Sequence, residues 1–353
     1  MDRETRSMLL ETAGRLFADK STKDVVNGLE KGQWPEALWQ SVEEMGLPSV
    51  AVSESAGGAG GALSDLLALA KLAAYYALPL PLVDTAMAAM LLDLAGLAQP
   101  GGPMALVVAG PSTSLRFASG GQNVSGSVRN VAFASMVPNL LVLASGQDGK
   151  VRVALVPAGA AAIDKKRGHS GEPSDTVAFD SAPVSGSAVV DLKPLRGFEL
   201  GAAARTSQMA GAAKRILDLA VTYAKERVQF GRPIGNFQAI QQLLAELASY
   251  VAAISAAADA AARDAEEGGA FSIAAAKTQA AGIAHKVAGI AHQCMGAMGF
   301  TQEHVLHHYT RRLWVWRSDF GSDVYWARRL GEEIVKGGSD ALWPTLIESK
   351  FAA

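Results

Sequence analysis

Apolar residues follow three different spacings along the chain. Over residues 1–98 they recur as on a helix: Met8, Leu9, Thr12, Ala13 and Leu16 fall on one helical face. Trp34 and Pro35 mark a turn, and PEALWQSVEEMG then reads as a short helix closed by Gly46. The run SAGGAGG (55–61) predicts a flexible break. Ser64 and Asp65 precede an apolar helix, LLALAKLAAYY, which Pro79 and Pro81 end; a further helix is expected over about 84–96.

Helical spacing then disappears. MALVVAG (104–110), NLLVLAS (139–145), VRVALVP (151–157) and SAVVDL (187–192) are short runs rich in Val and Leu, bounded by turn residues, as strands are. Asp148-Gly149 between two of them signals a hairpin. An antiparallel sheet or barrel follows. The region holds no GxGxxG or GxxxxGK, which argues against a Rossmann or P-loop nucleotide site.

Helix returns after residue 199. AARTSQMAGAAKRILDLAVTYAKER and FQAIQQLLAELASYVAAISAAADAAARDAEEGG read as long helices, the second ending at Gly268-Gly269. In SIAAAKTQAAGIAHKVAGIAHQCMGAMG, the residues Ile283, Val287, Ile290 and Cys294 share one face. The alanine and glycine on these helices allow close neighbours, which suits a bundle that also packs on another subunit. The predicted architecture is therefore α+β and multidomain. It has a helical N-terminal domain (1–98), a central antiparallel β-domain (99–198) and a C-terminal helical bundle (199–353).

Composition narrows the function. The 353 residues are 49% hydrophobic and 19% charged, a globular balance with room for two or three domains. A formal net charge of -2 without a basic run argues against a nucleic-acid partner. A single cysteine, Cys294, excludes an intrachain disulfide and fits a reducing, cytoplasmic setting. The start, MDRETRSMLLETAG, has no apolar signal core, and stretches such as 62–71 are too short to span a bilayer.

Candidate chemistry concentrates at ERVQFGRPIGNFQ (226–238), between two helices. Arg227 either complements a helix dipole or grips a phosphate or carboxylate with its planar fork. Gln229 both donates and accepts, which suits a heteroaromatic edge. Phe230 and Phe237 either fill core or wall a flat ligand. Gly231, Pro233 and Gly235 set the bend, and Asn236 is the expected N-cap of the next helix.

These residues, in this order, resemble the signature of the acyl-CoA dehydrogenase family: Arg-x-Gln-Phe-Gly-x-Pro-Ile followed by Phe-Gln. VAVSESAGGAGGALSDLLAL is similar to that family's glycine-rich segment between N-terminal helices, and GSVRNVAFASMVPNLLVLAS to its first β-domain strands. HQCMGAMGFTQEHVLHHYTRR resembles its Gln-x-x-Gly-Gly-x-Gly-Phe segment. The resemblance covers nearly the whole chain. It implies an FAD-binding protein with a helical N-terminal domain, a central β-domain and a C-terminal four-helix bundle, which oxidises the Cα–Cβ bond of an acyl-CoA thioester with the flavin shared between subunits. By that resemblance Arg227 approaches the FAD diphosphate, with Gln229, Phe230, Ile234, Phe237 and Gln238 beside it. Gln293, Gly296 and Ala297 meet the adenosine end. The implied partners are an acyl-CoA, a second chain of the family in a homo- or hetero-oligomer, and electron-transfer flavoprotein as acceptor.

The sequence also departs from the family. The reaction needs a base for the α-proton. The resemblance places that base in a Tyr-Glu-Gly-Thr segment, where this chain reads Asp319-Phe320-Gly321-Ser322, with Phe320 at the Glu position. The family's alternative position, near Gly201-Ala202, has no carboxylate either. Glu199, Asp319 and Asp323 are the nearby substitutes, each expected to be a solvated surface acid. The family's Thr-Glu-Pro loop is missing, and Asn130-Val131-Ala132 stands where Trp-Ile-Thr usually packs on the flavin. This pattern resembles the partner chains of heteromeric bacterial acyl-CoA dehydrogenases that act on bulky acyl-CoAs.

Three functions follow as expectations: a dehydrogenase in its own right, a base-lacking subunit completing a partner's FAD site, or an elimination catalyst on an acyl-CoA. Glu303, His304, His307 and His308 suggest metal ligands, but the spacing is not HExxH and no metal is expected. Cys294 reads as buried core, His285 and His292 as interface residues, and Trp314, Trp316 and Trp326 as packing for the last helices. Arg311 and Arg312 are candidates for CoA phosphates or a partner's carboxylates.

Overall fold

The computed structural model describes residues 1–266 and 268–348. They form two compact units: 1–69 with 79–201, and 70–78 with 202–348.

The first unit opens with capped helices. Asp2 accepts from the amides of Glu4 and Thr5 at the start of α1 (Arg3–Lys20), and Thr22 accepts from Val25 at the start of α2 (Lys23–Glu30). α3 (Glu36–Glu44) ends before Gly46, whose φ of 70° closes it as expected. The SAGGAGG run corrects the sequence expectation, because it is no flexible break. The amides of Gly58, Ala59, Gly60 and Gly61 donate to the carbonyls of Ser53, Ser49, Val52 and Val50. A Cβ on Gly58 or Gly61 would stand 2.4 Å from a backbone oxygen, so glycine here allows strands of loop to touch. α4 (Leu63–Tyr75) and α5 (Leu82–Leu94) follow. Ser64 and Asp65 lie inside the first turn of α4, where the Asp65 carboxylate accepts from the Ala62 amide at 2.8 Å.

The β-region is two four-stranded sheets. One orders β1 (Met104–Val108), β4 (Asn139–Ser145), β5 (Val151–Pro157) and β8 (Gly186–Val189) side by side. The other orders β2 (Arg116–Phe117), β3 (Asn123–Ala132), β7 (Ser174–Pro183) and β6 (Ala162–Asp164). Pairing is antiparallel apart from β1 with β4, which run parallel. Val107, Leu140, Val142 and Val156 share one buried core with Phe117, Val177 and Phe179, and Leu29 of α2 joins it. The predicted hairpin is present: β4 and β5 pair from Asn139 with Pro157 to Ser145 with Val151.

In the second unit, the last residues of α4 lie against α6 (Arg196–Glu226). A Cβ on Gly211 would stand 1.9 Å from the Lys71 carbonyl oxygen, so the two backbones touch there. Lys71 Nζ then reaches Asp259 Oδ1 at 2.9 Å and Ser255 Oγ at 2.7 Å on α7 (Gln238–Asp264). Between α6 and α7 sit β9 (Val228–Gln229) and β10 (Arg232–Pro233). α8 (Ala270–Met295) is the central helix, flanked by α7, α10 (Leu306–Trp316) and α11 (Asp323–Gly337). The short α9 (Ala297–Phe300) and the last helix, α12 (Ser339–Glu348), complete the unit.

The face expected on α8 is split. Val287 and Cys294 are buried, but Ile283 and Ile290 are half-buried, and the buried row runs through Ala284, Ala288 and Ala291. Trp316 and Trp326 are core, as expected, whereas Trp314 is 52% exposed beneath the Arg317 guanidinium. α7 is long and apolar enough to cross a bilayer by length and composition, although only 22% of its most apolar window is buried. The sequence expectation of no span rested on shorter stretches. α7 carries Glu246 and Asp259 and pairs with α8.

Candidate functional site

The helix corner is a built structure. The Arg227 amide still bonds back to the Tyr223 carbonyl at 2.9 Å, extending α6 by one residue. The chain then reverses: Arg232 pairs with Gln229 and Pro233 with Val228, leaving Phe230 and Gly231 as the whole loop. Both have positive φ, 53° and 80°, the requirement of a type I′ turn. Gly231 adopts it freely. An aromatic residue there costs about 1–3 kcal/mol, and such strain clusters at binding sites. Burial within this chain does not offset it, because Phe230 is 91% exposed. The Ile234 amide closes the corner on the Arg227 carbonyl at 2.8 Å, and Gln241 Nε2 donates to the Gly235 carbonyl at 2.9 Å. Asn236 is not the N-cap; Phe237 holds that position and no side chain caps α7.

The corner presents its chemistry outward. Arg227 is exposed, and no carboxylate among the described residues pairs with it. The Gln229 side chain donates to its neighbour's carbonyl, at Val228, and to no other group among the described residues. Phe230 meets Phe237 edge-on at 6.1 Å, and the Arg232 guanidinium lies 4.2 Å over the Phe237 ring.

α7 and α8 form an antiparallel pair joined by a short connection, so the end of α8 returns to the corner's end of the pair. Gln293, Gly296 and Ala297 are all exposed there, and Gly296 uses a φ of 56° to pass from α8 to α9. None of the nine predicted cofactor residues is buried, and all lie at that end. Sequence reasoning missed Phe300, which is 73% exposed and stacks on His292 at 4.5 Å. Burial and a contact with the Gly299 backbone act on His292 in opposite directions, and burial wins, lowering its pKa. It also missed Gly282 and Gly289 on the outer side of α8, where a Cβ would meet nothing within 4 Å.

The position expected for the base tells the opposite story. Phe320 and Gly321 both have positive φ, 52° and 94°. Trp326 Nε1 donates to the Phe320 carbonyl at 2.8 Å, and a Cβ on Gly321 would stand 2.7 Å from that nitrogen. Ser322 caps α11 by accepting from the Tyr325 amide. Two of the three substitute acids, Asp319 and Glu199, are not solvated surface groups, and Asp323 is half-buried. Asp319 accepts from Arg205 Nε at 3.2 Å, with side-chain exposures of 14% and 7%. Glu199 is 5% exposed and pairs with Arg196 at 3.2 Å. The Arg205 guanidinium lies 5.9 Å from the Trp316 ring centre and 5.8 Å from that of Phe320. Nearby, the fully buried Lys277 donates to the Trp316 carbonyl at 2.5 Å, and burial pulls its amine down to about 7.

The remaining sequence candidates have local roles. His304 Nδ1 accepts from the Leu306 amide and its carbonyl meets His307 Nδ1, while the His307 and His308 rings lie 4.0 Å apart. Arg312 is 2% exposed beside Trp316, which removes it from any surface role. His285 is exposed. Burial raises the Cys294 thiol, so it is an unreactive core residue.

Comparison with known proteins agrees with this layout. The family description "Acyl-CoA dehydrogenase, N-terminal domain" matches residues 3–99, and "Acyl-CoA dehydrogenase, C-terminal domain" matches residues 194–333. Together they take in more than half of the chain. Acyl-CoA dehydrogenase FadE34 of Mycobacterium tuberculosis is 33% identical over 333 residues, covering 89% of this chain and 44% of that protein. The chain thus spans under half the length of that relative. A chain of the Tcur3481-Tcur3483 steroid ACAD superposes with a TM-score of 0.85 at 24% identity, covering 95% of this chain and 99% of that one. A chain of the ChsE4-ChsE5 complex from Mycobacterium tuberculosis gives 0.83 at 22% identity, with 95% and 98% covered. At these identities the structures establish the fold alone. The chain belongs to the acyl-CoA dehydrogenase family, whose members are FAD-dependent oxidoreductases.

Proposed function

We propose that this chain is the base-lacking subunit of a heteromeric acyl-CoA dehydrogenase and completes the flavin site of a partner chain of the same fold. The observation that carries the proposal is the contrast between the two sites. The corner at 227–237 keeps an exposed arginine with no carboxylate partner among the described residues and a strained, exposed phenylalanine, while the base position holds Phe320 and its neighbouring acid is committed to Arg205.

The residues present fit FAD. Arg227 would face the diphosphate with its fork. Gln229, Phe230, Ile234, Phe237 and Gln238 would line the same site, and Gln293, Gly296 and Ala297 the adenosine end. FAD, when bound, supplies the hydride acceptor for oxidation of an acyl-CoA Cα–Cβ bond. This chain's own part is to neutralise negative charge through Arg227 and to exclude water with Phe230. The apolar but poorly buried α7, with Gly282 and Gly289 on α8, would lie under the partner. A partner of a different sequence is favoured over a second copy, because two copies would still lack a base. Bulky acyl-CoAs such as steroid side-chain thioesters are the first substrates to test, with electron-transfer flavoprotein as the acceptor.

The experiment purifies the chain alone and co-expressed with its genomic neighbours, reading flavin absorbance and anaerobic bleaching by acyl-CoA. The chain alone should be inactive, and a partner should bring both flavin and turnover. Strong turnover by the chain alone would sink the proposal.

A further inference from the structure

We infer that Lys277 is a proton-linked positioning residue that holds the turn at 317–322 closed when its amine is neutral and loosens it when the amine is charged. The inference rests on the packing of this turn and not on the partner role proposed above.

The turn is held from three sides. Lys277 Nζ donates to the Trp316 carbonyl at 2.5 Å, Arg205 Nε to Asp319 at 3.2 Å, and Trp326 Nε1 to the Phe320 carbonyl at 2.8 Å. These ties fix two consecutive left-handed residues, of which Gly321 adopts that geometry freely and Phe320 does not.

The charged groups acting on Lys277 are Arg205 from α6, Arg317 and Asp319 from the turn and Asp323 from the start of α11, while the buried Arg312 of α10 lies beside Trp316. Asp319 and Asp323 balance Arg205 and Arg317. Protonating the Lys277 amine adds a buried positive charge to this cluster. Lys277 has no exposed surface, so the closed turn does not share that charge with solvent. Opening the turn exposes the ammonium and removes the penalty, so proton uptake favours opening.

The direction follows from linkage. Closed, the amine titrates at about 7; opened, it returns toward 10.5. Between these values the opened turn binds more protons, so opening grows rarer as pH rises. The opened fraction falls about tenfold per pH unit from 7 upward and levels off below 7.

Hydrogen exchange on the full chain tests this, following peptides that cover 316–326 from pH 6 to 9, corrected for intrinsic exchange. Wild type should show constant protection from 6 to 7 and about a tenfold rise per unit above 7.5. Lys277→Met keeps the volume and removes the titration, so its profile should be flat. Wild-type protection that is flat above 7, or an unchanged slope in Lys277→Met, overturns the inference. Should the variant fail to fold, the wild type decides alone through its ¹⁵N-labelled lysine Nζ signals. One lysine titrating near 7 supports the inference, and every lysine titrating above 9 overturns it.

Discussion

The same substitution should have opposite signs at glycines of two adjoining helices. At Gly211 a new Cβ would meet the Lys71 carbonyl oxygen at 1.9 Å and its carbon at 2.8 Å. An unstrained contact needs about 3.2–3.4 Å, so α6 and the end of α4 must separate by more than 1 Å. Both atoms are backbone, which cannot swing aside. Overpacking of this kind costs about 1–3 kcal/mol. The shift also strains the Lys71 bonds to Ser255 and Asp259, each worth about 1 kcal/mol at partial exposure. Gly211→Ala should therefore destabilise by roughly 3 kcal/mol, lowering Tm by about 6–12 °C for a unit of this size. Gly282→Ala and Gly289→Ala sit in the middle of α8 with open space around the new atom. Each should gain up to about 1 kcal/mol of helix propensity in the isolated chain. If the outer face of α8 lies under a partner, the same two changes should weaken the complex while raising the Tm of the free chain. Thermal melts followed by circular dichroism, beside sedimentation of the co-expressed complex, read both effects. A Gly211→Ala chain melting within 1 °C of wild type would refute the contact. Unchanged complex formation with Gly282→Ala/Gly289→Ala would refute the covered face.

Three other outcomes are expected. Arg227→Ala removes an exposed cation with no carboxylate partner among the described residues, so the Tm of the chain alone should hold within about 1 °C, while flavin retention by the complex, measured by ultrafiltration, should fall about 10–100-fold. Phe230→Gly should raise the stability of the chain alone by about 1 kcal/mol in urea by relieving the left-handed strain, yet weaken flavin binding in the complex. At Asp65, burial raises the carboxyl, but the Ala62 amide and Arg6 outweigh it and hold the group below its usual value. Its stabilisation is present above the unfolded value near 4 and is lost as pH falls through the lower folded value. Asp65→Asn should cost about 1–3 kcal/mol at pH 7, and the difference from wild type should shrink in melts as pH falls below 4.

What the sequence showed depended on how local the cause was. The corner was legible because Arg227, Gln229, Phe230 and Phe237 lie within one short stretch, and the helices around it keep a clean spacing. Strands β3 and β7 were not legible as strands from their spacing. NVSGSVRNVA is mostly small and polar, and two bulges break the alternation of Val124, Val128 and Val131. Asn130 takes a φ of 59° at one of them. The burial of Asp319 was hidden for a different reason, since its partner Arg205 stands 114 residues away. Glu199 was within reach of the sequence: Arg196 lies one helical turn before it, where such pairs form. Lys277 gave no sign in an alanine-rich helix, because a lysine there reads as a solvated face until the helix is seen at the centre of its unit.

The two-residue loop at Phe230 and Gly231 has a kinetic consequence. A reversal this short has almost no conformational freedom left to lose, so the ordering entropy has already been spent when the free chain folds. Docking then needs no loop to search for its shape. Association with a partner should proceed in one phase, at a rate set by diffusion and orientation, and any slow second phase must come from elsewhere in the complex.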